Sequence, residues 1–338
     1  MRRHGARGAP DRAAFLRLHN LKRDRPAEGR TGFRGVDIWR WQYFQDVACP
    51  ASVVIPISDP VAWPLYPEHR KIYNKLFVCE SQGVRHGPHG VPPERFPVFS
   101  KPIINLDGMG SGGRIIRSPG ELEAHFRSGH MWMQLLRGQH VSTDVVLAEG
   151  VPRWWRHTVG YPRPRGMFDY WAVLAARRPA LEAYLARWIR AHLRGLTGVI
   201  NIETIGGTII ECHLRMAEQW ADLNGPGWLD AVVELYTSGR WRYADRRRTG
   251  YSVVLFARHG PRYSIDPDAA AALRAHPGIS SIQITFDVHG PPERHSMPPG
   301  GFRLAIVNCW DLRAGRAVRA RLRRLFTPGA SDGAGRDR

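Results

Sequence analysis

The chain has 338 residues, 43% of them hydrophobic, and a formal net charge of +19. That size suits two or three packed lobes rather than one small module. No apolar run is long enough to span a bilayer, and the Arg-rich N-terminus lacks the apolar core of a signal peptide, so a cytoplasmic protein without a membrane partner is expected.

The four cysteines, Cys49, Cys79, Cys212 and Cys309, are scattered and form no CxxC pair, which argues for buried thiols and against a zinc ribbon or disulfide framework. A basic chain invites a nucleic-acid reading. Here only Lys22, Lys71, Lys75 and Lys101 among the 49 basic residues are lysines, a bias of composition, and no stripe interleaves basic with stacking aromatic residues. Nucleic acid is therefore disfavoured, while attraction to anionic small molecules is natural. Lysine scarcity also makes each lysine in an apolar setting conspicuous, because Lys delivers a compact point charge where Arg is planar and bulky.

In chain order, residues 1–33 are Arg-rich and unpatterned, and are expected to be disordered. Residues 52–57 read as a buried strand. The segment from Tyr66 to Gln82 reads as one helix with Ile72, Leu76 and Cys79 on a single face. A strand over 97–104, a glycine loop Gly108-Met-Gly-Ser-Gly-Gly113 and a returning strand 114–117 follow. A short helix near 119–126 and a strand from Met131 to Leu136 come next. Residues 181–196 carry an amphipathic helix, with Leu181, Tyr184, Leu185, Trp188, Ile189 and Leu193 at helical spacing between Pro179 and Gly195. Strands 199–205 and 209–214 flank Gly206-Gly207. The last lobe has strands near 251–257, 280–288 and 302–308, a basic helix 313–326, and a frayed tail over 328–338. Trp154-Trp155 is expected to be packing or an interaction patch. His86 and His89 stand in a Pro/Gly turn and are expected to be structural.

Chemistry concentrates in the hairpin Asn201-Ile-Glu203-Thr-Ile-Gly-Gly-Thr-Ile-Ile-Glu211-Cys-His213-Leu-Arg215. A two-residue turn at Gly206-Gly207 would pair residue 203 with 210 and send the glutamates to opposite faces. A three-residue loop over 206–208 pairs 203 with 211 and 201 with 213, so that Asn201, Glu203, Glu211 and His213 share one face. This second register is expected. Opposed carboxylates about 5 Å apart repel unless a cation lies between them, and their hard oxygens suit Mg²⁺. Lys101, in an apolar strand just before the glycine loop, can neutralise phosphates that free backbone N–H groups of such a loop can cradle. This is no P-loop, since GxxxxGK[ST] is missing.

Taken in order, Lys75, Lys101 with its glycine loop, the strand and linker near Gln134–Gly138, Glu203, and Glu211-Cys-His213-Leu-Arg215 resemble the ATP-grasp family over about residues 66–240, and more faintly to 325. The resemblance implies an α+β fold in which two lobes sandwich a nucleotide. It further implies a shortened preceding subdomain (34–65), a core (66–240) and a small C-terminal lobe (241–327). It implies that Lys75, Lys101, Gly108, Gly110, Ser111, Gly112 and Gly113 hold ATP phosphates, and that Gln134, Leu136 and His140 lie beside the nucleoside. Glu203 and Glu211 match the family's Mg²⁺ ligands. His213 stands where the family has Asn, with Asn201 placed to supply an amide oxygen. Lys101 and Arg215 match the residues that steady the transferring phosphoryl group. His140 replaces an acidic residue at the ribose position, and Gln134 replaces another near the adenine. The implied activity is ADP-forming ligation of a carboxylate to an amine, with ATP and Mg²⁺ required and a homodimer compatible. The alternatives are a degenerate member that binds nucleotide or a partner without turnover, and a basic nucleic-acid-associated protein.

Overall fold

A computed structural model describes residues 11–23, 31–286 and 297–329. Two short parallel strands, β1 (Phe33–Arg34) and β2 (Ile55–Pro56), open the fold. The strand expected over 52–57 is thus only two residues long, because residues 51–53 turn. A four-stranded antiparallel sheet follows, built from β3 (His86–Pro88), β4 (Val98–Pro102), β5 (Arg114–Ile116) and β6 (His130–Gln134) in the order β3-β6-β4-β5.

The main sheet has eight strands. They are β7 (His140–Ala148), β8 (Val151–Arg163), β9 (Met167–Val173), β10 (Gly198–Ile205), β11 (Thr208–His213), β12 (Gly250–Ala257), β14 (Ile279–Ile284) and β15 (Phe302–Cys309). Their order is β11-β10-β7-β8-β9-β12-β15-β14, antiparallel at every join. A small pair, β13 (Tyr263–Ser264) with β16 (Thr327–Pro328), completes the set. The boundary expected near residue 240 therefore does not separate two sheets, since β9 pairs directly with β12.

Side-chain alternation explains how the main sheet buries both faces. On β8, consecutive Trp154 and Trp155 point opposite ways, as packing residues. Trp155 meets Leu185, Trp188 and Ile189 of the helix Pro179–His192. Trp154 meets Trp228, Val232 and Leu235 of the helix Trp228–Ser238. Each such buried side chain contributes about 1.5–3 kcal/mol of hydrophobic stabilisation. The helix Leu312–Leu325 covers the far end of the sheet through Val318 and Leu322.

Two expectations fail locally. The single helix over 66–82 is divided into a 3-10 turn, Arg70–Tyr73, and a helix Lys75–Glu80. Asn74 breaks it: its side chain accepts from the backbone N–H groups of Leu76 and Phe77 and starts a new helix. The supposedly disordered N-terminal segment contains a helix, Arg12–His19, capped by Asp11, whose Leu18 enters the core of the last lobe. The remainder of that segment, residues 1–10 and 24–30, and most of the tail, 330–338, lie outside the described residues. No helix among the described residues is long and apolar enough to cross a membrane.

Candidate functional site

The acidic hairpin sits at the edge of the main sheet, and its register is the expected one reached by a different device. Residue 203 faces 211 and residue 201 faces 213. The turn, however, has two residues: Ile205 pairs with Thr208, and Gly206 and Gly207 carry φ of +59° and +87°, the backbone that a two-residue hairpin turn requires. Thr204 then pairs with Ile209, and the ladder shifts between Glu203 and Thr204. Ile210 is the extra residue of a β-bulge, and it restores the parity that the short turn removes. The three-residue loop is corrected accordingly.

The bulge has a partner. Lys101 Nζ, brought from β4, donates to the Ile210 carbonyl at 2.7 Å. Lys75, first residue of its helix, places Nζ 2.8 Å from Glu211 Oε1. That oxygen is buried and has no aligned hydrogen bond, so the contact is one of charge. Both lysines are buried. Burial pushes the Lys101 ammonium down to about 8; Glu211 opposes the shift and Lys75 adds to it. The small sheet, through Lys101, and the helix Lys75–Glu80, through Lys75, thus each deliver one lysine to the acidic edge of the large sheet.

Opposite Glu211, Glu203 Oε2 lies 2.8 Å from His140 Nε2. Burial favours the protonated acid at Glu203, but the hydrogen bond and charge of His140 override it and hold the carboxyl below its usual range. His140 itself is wedged edge-on against Phe168 and Trp171, at 5.4 and 5.2 Å. Gln134, at the end of β6, receives the Arg85 guanidine at 3.5 Å. Leu136 packs beside Met131 and Met133. The linker between them touches the hairpin turn: the Gly206 N–H donates to Gln139 O, and a Cβ at Gly206 would lie 2.3 Å from Arg137 O.

The other two residues expected on the metal face are committed elsewhere. Asn201 donates to Asp144 Oδ1 and exchanges bonds with Ser142. His213 Nδ1 lies 2.8 Å from Asp59 Oδ2, which also takes Arg215 Nη2 at 3.0 Å, while Asp59 Oδ1 accepts from Tyr73. Burial would raise Asp59, but Arg215 and His213 hold it well below the usual carboxylate range. Burial would lower His213, yet Asp59 raises it. Nδ1 of His213 is thereby engaged by Asp59, which turns His213 toward that carboxylate rather than toward Glu203 and Glu211. Among the described residues no three groups converge to hold a metal ion. What fits Mg²⁺ is the pair Glu203 and Glu211. Both carry hard oxygens across one ladder, and the buried Glu211 Oε1 has the Lys75 ammonium beside it but no aligned hydrogen bond.

Sequence reasoning missed Asp59, Tyr73, Asp144 and Glu218. Arg215 reaches Glu218 at 3.3 Å, and Glu218 reaches Arg40 at 2.5 Å. Burial pushes Asp144 up to about 6, against the opposing bonds that Oδ1 takes from the Ala217 N–H and Asn201. A lone Asp in Ser58-Asp59-Pro60 reads as an ordinary helix start, and nothing in its surroundings marks a charge partner 150 residues away.

The glycine loop 108–113 joins β4 to β5 and reaches the far part of the main sheet. Its Met109, at φ +60°, contacts Arg303 of β15 through its sulfur, 3.3 Å from Nη1. Gly108, Gly110 and Gly112 also have positive φ, and Ser111 and Gly113 fall within the same run.

No family model and no curated protein matches this sequence. Solved structures do. The fold is similar to an L-amino acid ligase from Bacillus licheniformis: TM-score 0.60, 12% identity, 86% of this chain and 83% of that one covered. It is similar to N5-carboxyaminoimidazole synthase from Aspergillus clavatus, solved with ADP and 5-aminoimidazole ribonucleotide: TM-score 0.54, 15% identity, 85% and 84% covered. A biotin carboxylase domain from Hydrogenobacter thermophilus, solved with MgADP and bicarbonate, matches at TM-score 0.50 and 15% identity, with 82% and 69% covered.

Proposed function

Because the chain has an ATP-grasp fold, we propose that it binds ATP with Mg²⁺ between its two sheets and ligates a carboxylate to an amine, releasing ADP and phosphate. The observation that supports this most is the meeting of Lys75 and Lys101 with the facing pair Glu203 and Glu211. A site of two buried cations and two carboxylates is costly to assemble and suits a ligand that brings both phosphates and a metal ion.

Lys75 and Lys101 neutralise the phosphates, and the backbone N–H groups of the loop 108–113 cover them. Gln134 and Leu136 face the nucleoside. His140 cannot accept two ribose hydroxyl bonds as a carboxylate does, so its pairing with Glu203 becomes its main role. Glu203 and Glu211 would hold Mg²⁺, which when bound would screen the phosphate charges. Arg215, fixed by Asp59 and Glu218, orients the reacting groups. A substrate carboxylate oxygen attacks the γ-phosphorus and ADP leaves; the amine nitrogen then attacks the acyl carbon and phosphate leaves. The chain supplies positioning and charge rather than covalent help.

A screen of carboxylates and amines that reads ADP release tests the proposal. Glu211→Gln abolishes release while circular dichroism stays unchanged. Undiminished release in that variant removes the metal role. Magnesium-dependent thermal stabilisation by ATP with no release from any substrate pair favours the degenerate reading, which the substitution of His140 and His213 for the family's residues supports. The fold lends no support to a nucleic-acid role.

A further inference from the structure

Met109 stands between Gly108 and Gly110 in the glycine loop, at a φ of +60°. Glycine adopts that backbone freely, whereas a residue with a Cβ is strained in it. A side chain kept in a strained position calls for a reason in what it touches.

What it touches is Arg303 on β15. Met109 Sδ lies 3.3 Å from Arg303 Nη1. Arg303 retains only 9% of its exposure, and its Nε is buried without a partner. Among the described residues the thioether is the one hydrogen-bond acceptor that its side chain has. A thioether accepts weakly, and a guanidinium offers five N–H donors. The contact is therefore far from the strongest that this pair of positions can make.

The sulfur is also within reach of solvent. Met109 is half-buried, and a Cβ added at Gly108 or Gly110 would meet nothing within 4 Å, so the loop stands clear on either side of it. Met131, Met133 and Met216, by contrast, are closed in the core.

We propose that Met109 is a site of reversible oxidation by a peroxide, and that its sulfoxide oxygen latches the glycine loop to the Arg303 guanidinium. In that step Sδ attacks one peroxide oxygen and the O–O bond breaks. The sulfur loses two electrons and gains the S–O bond, while the other oxygen leaves as water. The sulfoxide oxygen is a strong acceptor, and its hydrogen bond to a charged donor outweighs the thioether contact that it replaces. Methionine sulfoxide reductases reverse the change. The oxidised loop is held against β15 whether or not a nucleotide is present. Its regulatory meaning rests on the ligase reading, since that reading has the loop cover phosphates.

Hydrogen exchange of the loop amides tests the latch on the full chain, before and after hydrogen peroxide, with peptide mass spectrometry to locate the added oxygen. Oxidation of Met109 slows exchange across residues 104–114 by about tenfold. Methionine sulfoxide reductase restores the faster exchange. Met109→Gln, whose amide oxygen is a permanent acceptor, exchanges slowly without peroxide. Met109→Leu and Arg303→Leu show no change on oxidation; if Arg303→Leu fails to fold, the two Met109 variants decide. Peroxide that oxidises Met167 or Met297 and spares Met109 overturns the proposal. So does faster exchange on oxidation, or a slowing that survives in Met109→Leu or Arg303→Leu. Mg·ATP is a separate arm. Slower exchange with Mg·ATP but no effect of oxidation removes the latch and keeps the ligase reading. Slowing by oxidation with none by Mg·ATP keeps the latch and removes the loop's role over phosphates.

Discussion

Lys101 Nζ is 2.7 Å from the carbonyl oxygen of Ile210, the residue that β11 carries in excess of β10 between Thr204 and Glu203. The bulge that turns Glu211 to face Glu203 also frees a carbonyl from the ladder, and a buried lysine occupies it. One irregularity thus aligns the acidic pair and anchors a cation beside it.

In the proposed function the Lys101 ammonium meets phosphate, so nucleotide affinity is expected to depend on its protonation. In the folded chain it titrates near 8 rather than 10.5. Its folded value is lowered, so the free fold gains stability from this group as pH rises from about 8 to 10.5, where the unfolded chain binds more protons. Nucleotide binding runs the other way. Titration calorimetry from pH 7 to 9.5 is expected to show ATP affinity falling above pH 8, by up to about tenfold per unit. Lys101→Met binds weakly at all pH values and loses that slope; a slope that survives the substitution would assign it to another group.

Asp59 holds His213, Arg215 and Tyr73 together, so Asp59→Asn leaves two buried cations without their shared anion. The expected loss is about 3–5 kcal/mol, read as a lowered denaturation midpoint. Its pH profile is specific. Asp59 is depressed below 3.8, so its contribution is complete above that value and is lost as pH falls through the folded value. His213 is raised above 6.5, so its contribution is complete below that value and fades as pH rises through the folded one. Wild type minus Asp59→Asn is therefore greatest between about pH 4 and 6.5, and a flat difference across pH 3–9 refutes the network.

Gly206 and Gly207 separate backbone strain from steric overlap. Both have positive φ, but only at Gly206 would a Cβ strike another main chain, the Arg137 carbonyl at 2.3 Å; at Gly207 nothing lies within 4 Å. Gly207→Ala is expected to cost about 1 kcal/mol from φ alone. Gly206→Ala costs more, about 2–4 kcal/mol, and also shifts the linker 135–139, weakening nucleotide binding. Urea denaturation of both variants checks the ranking, which fails if the two match.

His140 depresses Glu203, and removing the ring reveals it. In His140→Ala the Glu203 carboxyl is expected to move up from its depressed value, because burial is then opposed only by the charges of His213 and Arg215. A depressed folded value stabilises above the unfolded value and is lost as pH falls, so the variant loses less stability between pH 5 and 2 than the wild type does. Carbon-detected NMR titration of labelled glutamate reads the shift directly; an unmoved Glu203 would mean that Arg215 and His213 suffice.

The hairpin was legible because parity is a property of residue number: 203 and 211 share a face whenever the extra residue falls anywhere between them. Where it falls was not legible, since bulge and longer loop satisfy the same count. The glycine loop, the lysines and the helix 179–192 were readable from composition and spacing. Strands β7 to β9 were not, because β8 mixes Arg, Trp, Pro and His over 13 residues and carries no simple alternation. Asn74 announced a helix start, yet the apolar spacing across it read as continuous. Asp59, Glu218 and Arg303 were hidden for a different reason. Their meaning lies in what they face, and those partners come from distant segments.

The unbroken run of eight strands has a consequence for dissecting the molecule. Tyr170, Trp171, Ala172 and Val173 of β9 are paired with residues 250–253 of β12. A chain cut at residue 240 would leave that aromatic strand as a bare edge, open to pairing with other copies. Such a fragment is expected to aggregate rather than survive as an independent nucleotide-binding core, so the segment after residue 240 acts as a structural seal for the sheet that carries the candidate site.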